Sequence, residues 1–441
     1  MLCGSPEALT IFRIGGPAPE AREGVDHVHL SWGAAATGYG SFTHLLAMEN
    51  GRLAPVFLEA GRNYATEAAA LGGGPFGIGQ GAMVSPSHLQ AVDGDLETAF
   101  GTKDITGATE QALIAVDLGG LLPINRVVFY PRTENQNLLI HWYRVYFIRT
   151  PEIATIPRMP LSSISTYRNL LKTYELFAEA PENRTPHVSL DLPTREVRAV
   201  LIDVGDPTLI PFEQQQWEIA ELEVYGHGYV ASASYLTRIL DLGAVSILGR
   251  VNWRGWKDRD ATLDIRTRTG RDEDPLRYLR DTGFGEPSSR TESGRELTRA
   301  DYEALPIPEQ AGTAPDRDNW GFWSAPYAFG DSSGTLLASR GPARFLQLRA
   351  LFENALFSGS ELSYLELEVT APPLVQRAVG EVSPPFAAPA VETSFTYAVR
   401  PTFSPAPSNA PLESGFDRLV LKTPGEMVGI DSVRINRELV P

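Results

Sequence analysis

An acidic turn near residue 95 is the segment of this chain best suited to hold a metal ion. Within AVDGDLETAF, Asp93 and Asp95 flank Gly94, and Thr98 follows close behind. Calcium binds several oxygen atoms at once, and carboxylates, hydroxyls and backbone carbonyls on a turn supply them. The same pattern also fits a structural turn in which the Asp side chains accept hydrogen bonds from backbone N–H groups. These residues therefore leave calcium binding and turn capping open.

A second segment, PRTENQNLLIHW at residues 131–142, carries side chains suited to a sugar ligand. A sugar needs hydrogen-bond partners for its hydroxyl groups and an aromatic surface for its apolar face. The candidates for these tasks are Arg132, Asn135, Asn137, His141 and Trp142. In the alternative interpretation, Trp142 belongs to the hydrophobic core and the loop is merely solvated.

No catalytic constellation stands out in the sequence. It has no His-Glu-x-x-His motif, and its only cysteine is Cys3. Arg266 and Arg268 alternate along one strand, which most simply predicts a solvated or ion-paired strand face. The sequon Asn183-Arg-Thr185 is a glycosylation acceptor only in a source that modifies such sites. We therefore expect a protein without enzymatic activity.

Short strands must position these residues. Glycine and proline account for 40 and 34 of the 441 residues, a frequency that favours strands joined by turns over long helices. Alternating apolar and polar residues predict strands beside both candidate segments, as in Trp142–Arg149 and Trp217–Gly226. One convincing helical spacing falls in residues 161–180, where we expect an inserted helix. The whole pattern predicts an all-β fold of sandwich type.

Ordered echoes predict that the sandwich is duplicated. Asp-Leu-Gly begins at Asp117 and again at Asp241, and Arg-Val follows at the same offset in both copies. Further along, the segment that begins at Arg198 is similar to the one that begins at Arg344. Glu-Leu-Glu-Val occurs at both 221 and 366. Matches in the same order and at nearly equal spacing indicate a repeat.

The motifs of residues 86–228 resemble those of discoidin domains (coagulation factor 5/8 type C), a branch of the galactose-binding-like fold. They are AVDGD with TAF, VDLG with RVVFYPR, and the closing ELEVYG. The resemblance covers about a third of the chain and implies a jelly-roll β-sandwich that binds glycans or other surfaces through loops at one end. It also implies a structural calcium ion held by Asp93, Thr98 and Glu221, with Asp95 either a ligand or a turn cap.

The predicted organisation has four parts. They are a partly stranded N-terminal extension at 1–85, a discoidin-like sandwich at 86–228, a second jelly-roll sandwich at 229–370 with a polar insertion at 270–320, and a small immunoglobulin-like part at 371–441. The last part has too few strands to cover both faces of a sheet. We therefore expect another segment to complete it, and one candidate is Leu9–Ile14 from the same chain or from a neighbouring subunit.

Bulk composition limits the partners. A formal net charge of −16 argues against nucleic acid or anionic membranes as the main partner. The sequence shows no transmembrane run and no visible signal peptide, although its start, with Cys3, is similar to the end of a bacterial lipoprotein signal. We expect an extracellular or cell-surface protein that binds a glycan or a cell-surface polymer. The alternative is a structural subunit that assembles with copies of itself into a filament or surface layer.

Overall fold

A computed structural model shows that β-strands dominate the chain. The described residues are 9–22, 25–37, 41–79, 86–102, 112–150, 169, 171–204, 216–283, 285–332, 334–370, 377–389, 391–402, 428–435 and 438–439. Within these ranges no helix is long and apolar enough to cross a membrane.

The strands are numbered here in chain order. Those up to residue 130 are β1 (Leu9–Ile14), β2 (Val25–Leu30), β3 (Ser41–Phe42), β4 (Leu46–Ala47), β5 (Ala54–Pro55), β6 (Phe57–Leu58), β7 (Gly74–Gly79), β8 (Phe100–Gly101) and β9 (Ala112–Tyr130). The next are β10 (Tyr143–Ile148), β11 (Glu175–Ala180), β12 (Val188–Asp203), β13 (Glu218–Ile219), β14 (Glu221–Gly226), β15 (Gly228–Tyr229), β16 (Ser232–Leu236) and β17 (Leu240–Lys257). The last are β18 (Thr262–Gly270), β19 (Leu276–Arg280), β20 (Gln310–Pro315), β21 (Thr335–Leu336), β22 (Ala343–Glu353), β23 (Ser360–Thr370), β24 (Arg377–Ser383), β25 (Thr396–Thr402), β26 (Arg434–Ile435) and β27 (Glu438–Leu439).

The helical elements that lie entirely within the described ranges are short. They are the α-helices Trp32–Ala35 and Arg299–Ala304 and the 3-10 segments Pro86–Ala91, Thr133–Leu138, Ile307–Glu309 and Phe329–Asp331. Arg299–Ala304 lies in the polar insertion where the sequence shows its short helical patch. It begins at a capping box between Thr298 and Asp301, which satisfies backbone N–H groups at the helix start.

The first sandwich is organised around β9, a long bent strand. The first half of β9 pairs with β7 and with the end of β12, and β12 continues the layer through β10 to β11. The second half of β9 pairs with β14 and with the start of β12. The register of β12 shifts between Asp191 and Arg195 and again between Val197 and Ala199. Such irregularities bend strands, so β9 and β12 each contribute to both layers around one core.

The second sandwich follows the same plan around β17. Its first residues pair with β22, and the remainder pairs with β23. β22 also pairs with β16 and β18, while β1 pairs with β23 on one side and with β2 on the other. The tandem sandwiches predicted from the sequence are therefore the architecture of this chain.

The duplicated turn has the same geometry in both copies. The carboxylate of Asp117 accepts a hydrogen bond from the N–H of Gly119, and that of Asp241 accepts one from Gly243, both at 2.9 Å. Both glycines have a φ of +81°, a left-handed conformation that favours glycine. Asp-x-Gly is thus a requirement of the turn, which explains why it recurs.

The closing echo of the repeat is displaced by two residues. The sequence matches Glu221 with Glu366, but in the structure Glu223 lies opposite Val128 and Glu366 lies opposite Asn252. Val128 follows Asp117 in the sequence at the same offset as Asn252 follows Asp241. Glu223 is therefore the structural counterpart of Glu366. A shift of two residues keeps each side chain on the same face of a strand, which is why alternation alone did not reveal it.

The helix predicted for residues 161–180 is wrong over its last part. Residues 175–180 form β11, an antiparallel neighbour of β10, and the ring of Phe177 stacks on Phe147 at 4.8 Å. Pairing with the sheet edge overrides the local helical spacing here. The segment 151–168 lies outside the described residues.

The described residues between 9 and 79 are built into both sandwiches, so this part of the predicted extension at 1–85 is not separate from them. β1 belongs to the second sandwich and β7 to the first. Between them, Leu53 bridges to Leu362 and the N–H of Tyr64 donates to the carbonyl of Val224. One cluster of buried residues runs through both sandwiches and this segment.

The prediction that Leu9–Ile14 completes the C-terminal sheet is also wrong. Both edges of this strand are already paired, with β2 and with β23. The described residues beyond 376 form two separate two-stranded sheets, β24 with β25 and β26 with β27. An immunoglobulin-like arrangement of residues 371–441 stays a prediction.

Candidate functional site

Two loops meet at one end of the first sandwich, and together they form what is called here the binding end. Residues 131–142 connect β9 to β10, and residues 181–187 connect β11 to β12. Asn183 ties them together: its N–H donates to the carbonyl of His141 at 2.6 Å and its side-chain amide donates to the carbonyl of Ile140 at 2.8 Å. The buried Asn183 amide also donates to Thr185 at 2.9 Å. The sequon is therefore a structural clamp in this fold.

Arg132 is fixed by Glu218, a residue that sequence reasoning missed. The guanidinium donates from Nε to Oε1 at 3.0 Å and from Nη2 to Oε2 at 2.9 Å, and the backbone N–H of Arg132 donates to Oε1 at 3.1 Å. Burial would raise the pKa of Glu218, but the hydrogen bonds from Arg132 outweigh burial and hold that pKa below its ordinary value. The ionised pair anchors the start of the 131–142 loop to the end of the sandwich.

The two asparagines of the loop differ in their surroundings. The amide of Asn135 lies 3.5 Å from Oε2 of Glu218, so Asn135 joins Arg132 at the buried carboxylate. Asn137 is exposed in the 3-10 segment Thr133–Leu138. The loop therefore presents one fixed and one solvent-facing amide.

Trp142 immediately precedes β10 and is half-buried, so it is not a fully buried core residue. The guanidinium of Arg144 lies over its ring, 4.5 Å from the centroid, and a carboxylate oxygen of Glu179 holds Arg144 at 2.8 Å. His141 precedes it, is also half-buried, and has its backbone carbonyl engaged by Asn183. The indole thus packs against Arg144 of the paired strand β10 while part of it faces solvent.

A stacked ring pair adds to this end of the sandwich. The rings of Tyr130 and exposed His187 are nearly parallel, at 7° and with centroids 5.0 Å apart. The Tyr130 hydroxyl donates to a carboxylate oxygen of Glu223 at 2.9 Å. Tyr130 directly precedes the loop segment PRTENQNLLIHW, whereas His187 is placed beside it by the pairing of β9 with β12.

The acidic turn lies beside β14, as the resemblance implies. An oxygen of the Glu221 carboxylate accepts a hydrogen bond from the N–H of Gly94 at 2.6 Å. Thr98 donates its hydroxyl hydrogen toward Asp93, at 2.9 Å from Oδ2. Both Asp carboxylates cap the turn: Oδ1 of Asp93 accepts from the N–H of Asp95 at 2.9 Å, and Asp95 accepts from the N–H of Glu97 at 3.0 Å. Of the two, Asp93 also faces Thr98 and Glu221.

The residues of this turn fit a calcium ion in donor type. Glu221 is buried and its Oε2 has no hydrogen-bond partner among the described residues. Burial, with the negative charge of Asp93 as a further cause, raises the pKa of Glu221 to about 7. A divalent cation would supply the positive charge that offsets the repulsion between the carboxylates of Asp93 and Glu221. No group of three or more His, Cys, Asp or Glu side chains in the described ranges could hold a metal, so Thr98 and backbone carbonyls would have to complete the ligands.

Comparisons with known proteins give likenesses among solved structures alone. No family model and no curated protein matches the chain. A carbohydrate-binding module of Clostridium perfringens, solved with GalNAc-β-1,3-galactose, is 14% identical and aligns over 37% of this chain and 100% of its own, with a TM-score of 0.26. The family 32 module of C. perfringens NanJ, solved with galactose, is 16% identical over 37% and 96%, with a TM-score of 0.26.

A third structure is chitosan-binding module 1 from a chitosanase/glucanase of Paenibacillus sp. IK-5. It is 15% identical to this chain, over 37% of this chain and 99% of its own, again with a TM-score of 0.26. Each of these solved modules aligns with little more than a third of this chain.

Proposed function

We propose that the chain binds glycans through the binding end of its first sandwich and has no enzymatic activity. The observation that carries the proposal is the environment of Trp142. Its indole packs against the guanidinium of Arg144 and is partly exposed to solvent. Aromatic rings that are fixed before the ligand arrives lose little entropy on binding. They offer the apolar face of a sugar ring a flat surface.

The surrounding polar groups supply the second requirement of a sugar site. Asn137 and His187 are exposed, and Nη1 of Arg132 points toward exposed Glu134 at 3.2 Å. Together they offer donors and acceptors for hydroxyl groups. Because Asn183 and Glu218 fix the backbone of both loops, these groups are held on a rigid scaffold.

The proposal places the protein outside the cell or at a cell surface, where polymeric glycans are found. Self-assembly into a filament or surface layer is the alternative. One candidate route to it was donation of β1 by a neighbouring subunit, and β1 is paired on both edges within its own chain.

Replacing Trp142 tests the proposal. The full chain is screened on an array of neutral glycans that includes galactose-terminated and chitosan oligosaccharides, and the best ligand is titrated by calorimetry. We expect Trp142→Ala to weaken binding at least tenfold, because loss of an aromatic anchor typically costs about 2 kcal/mol or more. Its melting temperature should change little, since Trp142 is not a core residue.

The control is Trp256→Ala, which removes an exposed indole, at 43%, from β17 of the second sandwich. This variant should bind like the unaltered chain. Binding to no glycan on the array, or equal losses in the two variants, would contradict the proposal.

A further inference from the structure

A cluster of arginines and tryptophans lies on the second sandwich and is called here the arginine cluster. Arg268 on β18 and Arg349 on β22 both lie over the ring of Trp323, at 4.7 and 4.8 Å from its centroid. Arg268 also lies 5.1 Å from the ring centroid of Trp320. Two guanidinium groups therefore share one indole in a chain whose net charge is −16.

The peptide that carries the tryptophans is fixed to the edge of β18. The N–H groups of Gly321 and Ser324 donate to the carbonyls of Thr269 and Thr267 at 2.9 and 2.8 Å. Trp320 fits against Gly270, where a Cβ atom would come within 2.2 Å of the indole. Backbone hydrogen bonds and the contact with Gly270 thus fix the tryptophan peptide against β18.

Arg268 is hydrogen-bonded to a neutral side chain instead of a carboxylate. Nε and Nη2 of Arg268 donate to the neutral Oε1 of Gln347, at 2.9 and 2.6 Å. Among the described residues neither Arg268 nor Arg349 forms an ion pair, and nearby Asp264 is engaged by Arg266 at 2.9 Å. Burial and the positive charge of Arg349 lower the pKa of Arg268 to about 10. Arg268 still carries its charge at neutral pH, and the two like charges repel.

We propose that the arginine cluster binds the carboxylate of an acidic saccharide such as a uronic acid. Guanidinium groups match the planar fork of a carboxylate with two parallel hydrogen bonds. Arg268 uses Nε and one Nη for Gln347, so its other terminal nitrogen and the guanidinium of Arg349 remain to donate. An anion bound between Arg268 and Arg349 would offset the repulsion between their positive charges.

That the ligand is a saccharide rests on the proposed function. That it carries a negative charge rests on the residues of the second sandwich. Trp323 is half-buried and lies beside both guanidinium groups, so a sugar ring that carries the carboxylate would meet an aromatic side chain. The other account of the cluster is that the arginines only pack on the tryptophans through cation–π contacts. The two accounts differ in their response to an anion.

The test compares trigalacturonate with its fully methyl-esterified form, which has the same sugars without the charges. Both are titrated into the full chain by calorimetry. We expect the acid to bind at least tenfold more tightly than the ester, and Arg349→Gln to remove this preference. Arg349→Lys keeps the positive charge without the fork and should retain a smaller preference.

Arg254→Gln is the matched control, because it removes an exposed arginine of the same sandwich with the same change in net charge. It should keep the preference for the acid within about twofold. The proposal is overturned if the unaltered chain does not distinguish acid from ester, or if Arg349→Gln and Arg254→Gln behave alike. It is also overturned if Arg349→Gln lowers only the melting temperature.

Trp142→Ala separates the two proposals, since it should leave the acid preference intact even if no neutral glycan binds.

Discussion

One ion pair occurs twice in this chain, in two different environments. Arg198 faces Asp117 with both side chains almost fully buried, 7% and 0% exposed, and it also donates to the carbonyl of Gly119 at 2.5 Å. Arg344 faces Asp241 at 2.8 Å with the two side chains 44% and 42% exposed. The repeat therefore provides an internal comparison of buried and exposed pairs.

We predict unequal costs for removing the two arginines. Arg198→Ala leaves the buried charge of Asp117 without its guanidinium partner and should lower the free energy of unfolding by about 3–5 kcal/mol. Arg344→Ala leaves Asp241 in contact with water and should cost about 0–1 kcal/mol. Urea unfolding followed by tryptophan fluorescence measures both values. Equal losses of unfolding free energy in the two variants would contradict the prediction that the buried ion pair matters more than the exposed one.

At the scale of elements, the turn at residues 92–98 joins the beginning of the first sandwich to its last strand. Its contact with β14 consists of Glu221, Gly94 and Asp93. We propose that calcium binds there through Asp93, Thr98 and Glu221, because these oxygens face one another and Glu221 is buried without full partners.

Calcium removal should therefore lower stability. An ion that binds only the folded chain stabilises it by about 2.7 kcal/mol at a hundred times its dissociation constant. We expect excess EDTA to lower the melting temperature, and added calcium to restore it. Glu221→Gln should abolish this response.

Glu223→Gln is the control for that prediction. Glu223 is two residues away on the same face of β14, but it accepts hydrogen bonds from Tyr130 and Tyr225 at 2.9 and 2.7 Å. This variant should keep the response to calcium. An unchanged melting temperature of the unaltered chain in EDTA, together with no metal in elemental analysis, would remove calcium from the account.

At the scale of the whole molecule, the two sandwiches share one hydrophobic core. The segment between β4 and Tyr64 lies between them: Leu53 bridges to Leu362 of the second sandwich, and Leu58 packs against Gly226 of the first. Leu53 and Leu58 are fully buried. Each sandwich therefore depends on a segment that the other also contacts.

We predict that both sandwiches unfold in a single calorimetric transition. Leu58→Ala should cost about 2–5 kcal/mol, as buried leucine truncations do, and should shift the whole transition to lower temperature. Exposed Leu336→Ala, on β21, is the control and should leave the transition in place. Two resolved transitions, with only one moved by Leu58→Ala, would show that the sandwiches unfold independently.

The sequence by itself determined the all-β class, the duplication and the positions of the two candidate segments. Alternation of apolar and polar residues reflects the two faces of a strand, and Asp-x-Gly reflects the left-handed glycine of a turn. Both signals are local, so Asp117, Asp241 and the acidic turn at Asp93 are visible in the chain without its fold.

Only the tertiary structure decided which strands pair and which side chains meet. Glu218 reaches Arg132 across 86 residues, and β1 joins β23 from the other end of the chain. The alternation of Arg266 and Arg268 predicted a solvated or ion-paired face; this holds for Arg266, which pairs with Asp264, whereas Arg268 packs against Trp323, more than fifty residues later. Sheet pairing is a long-range choice set by hydrogen bonds and burial between distant segments, and a pattern of neighbouring residues does not contain it.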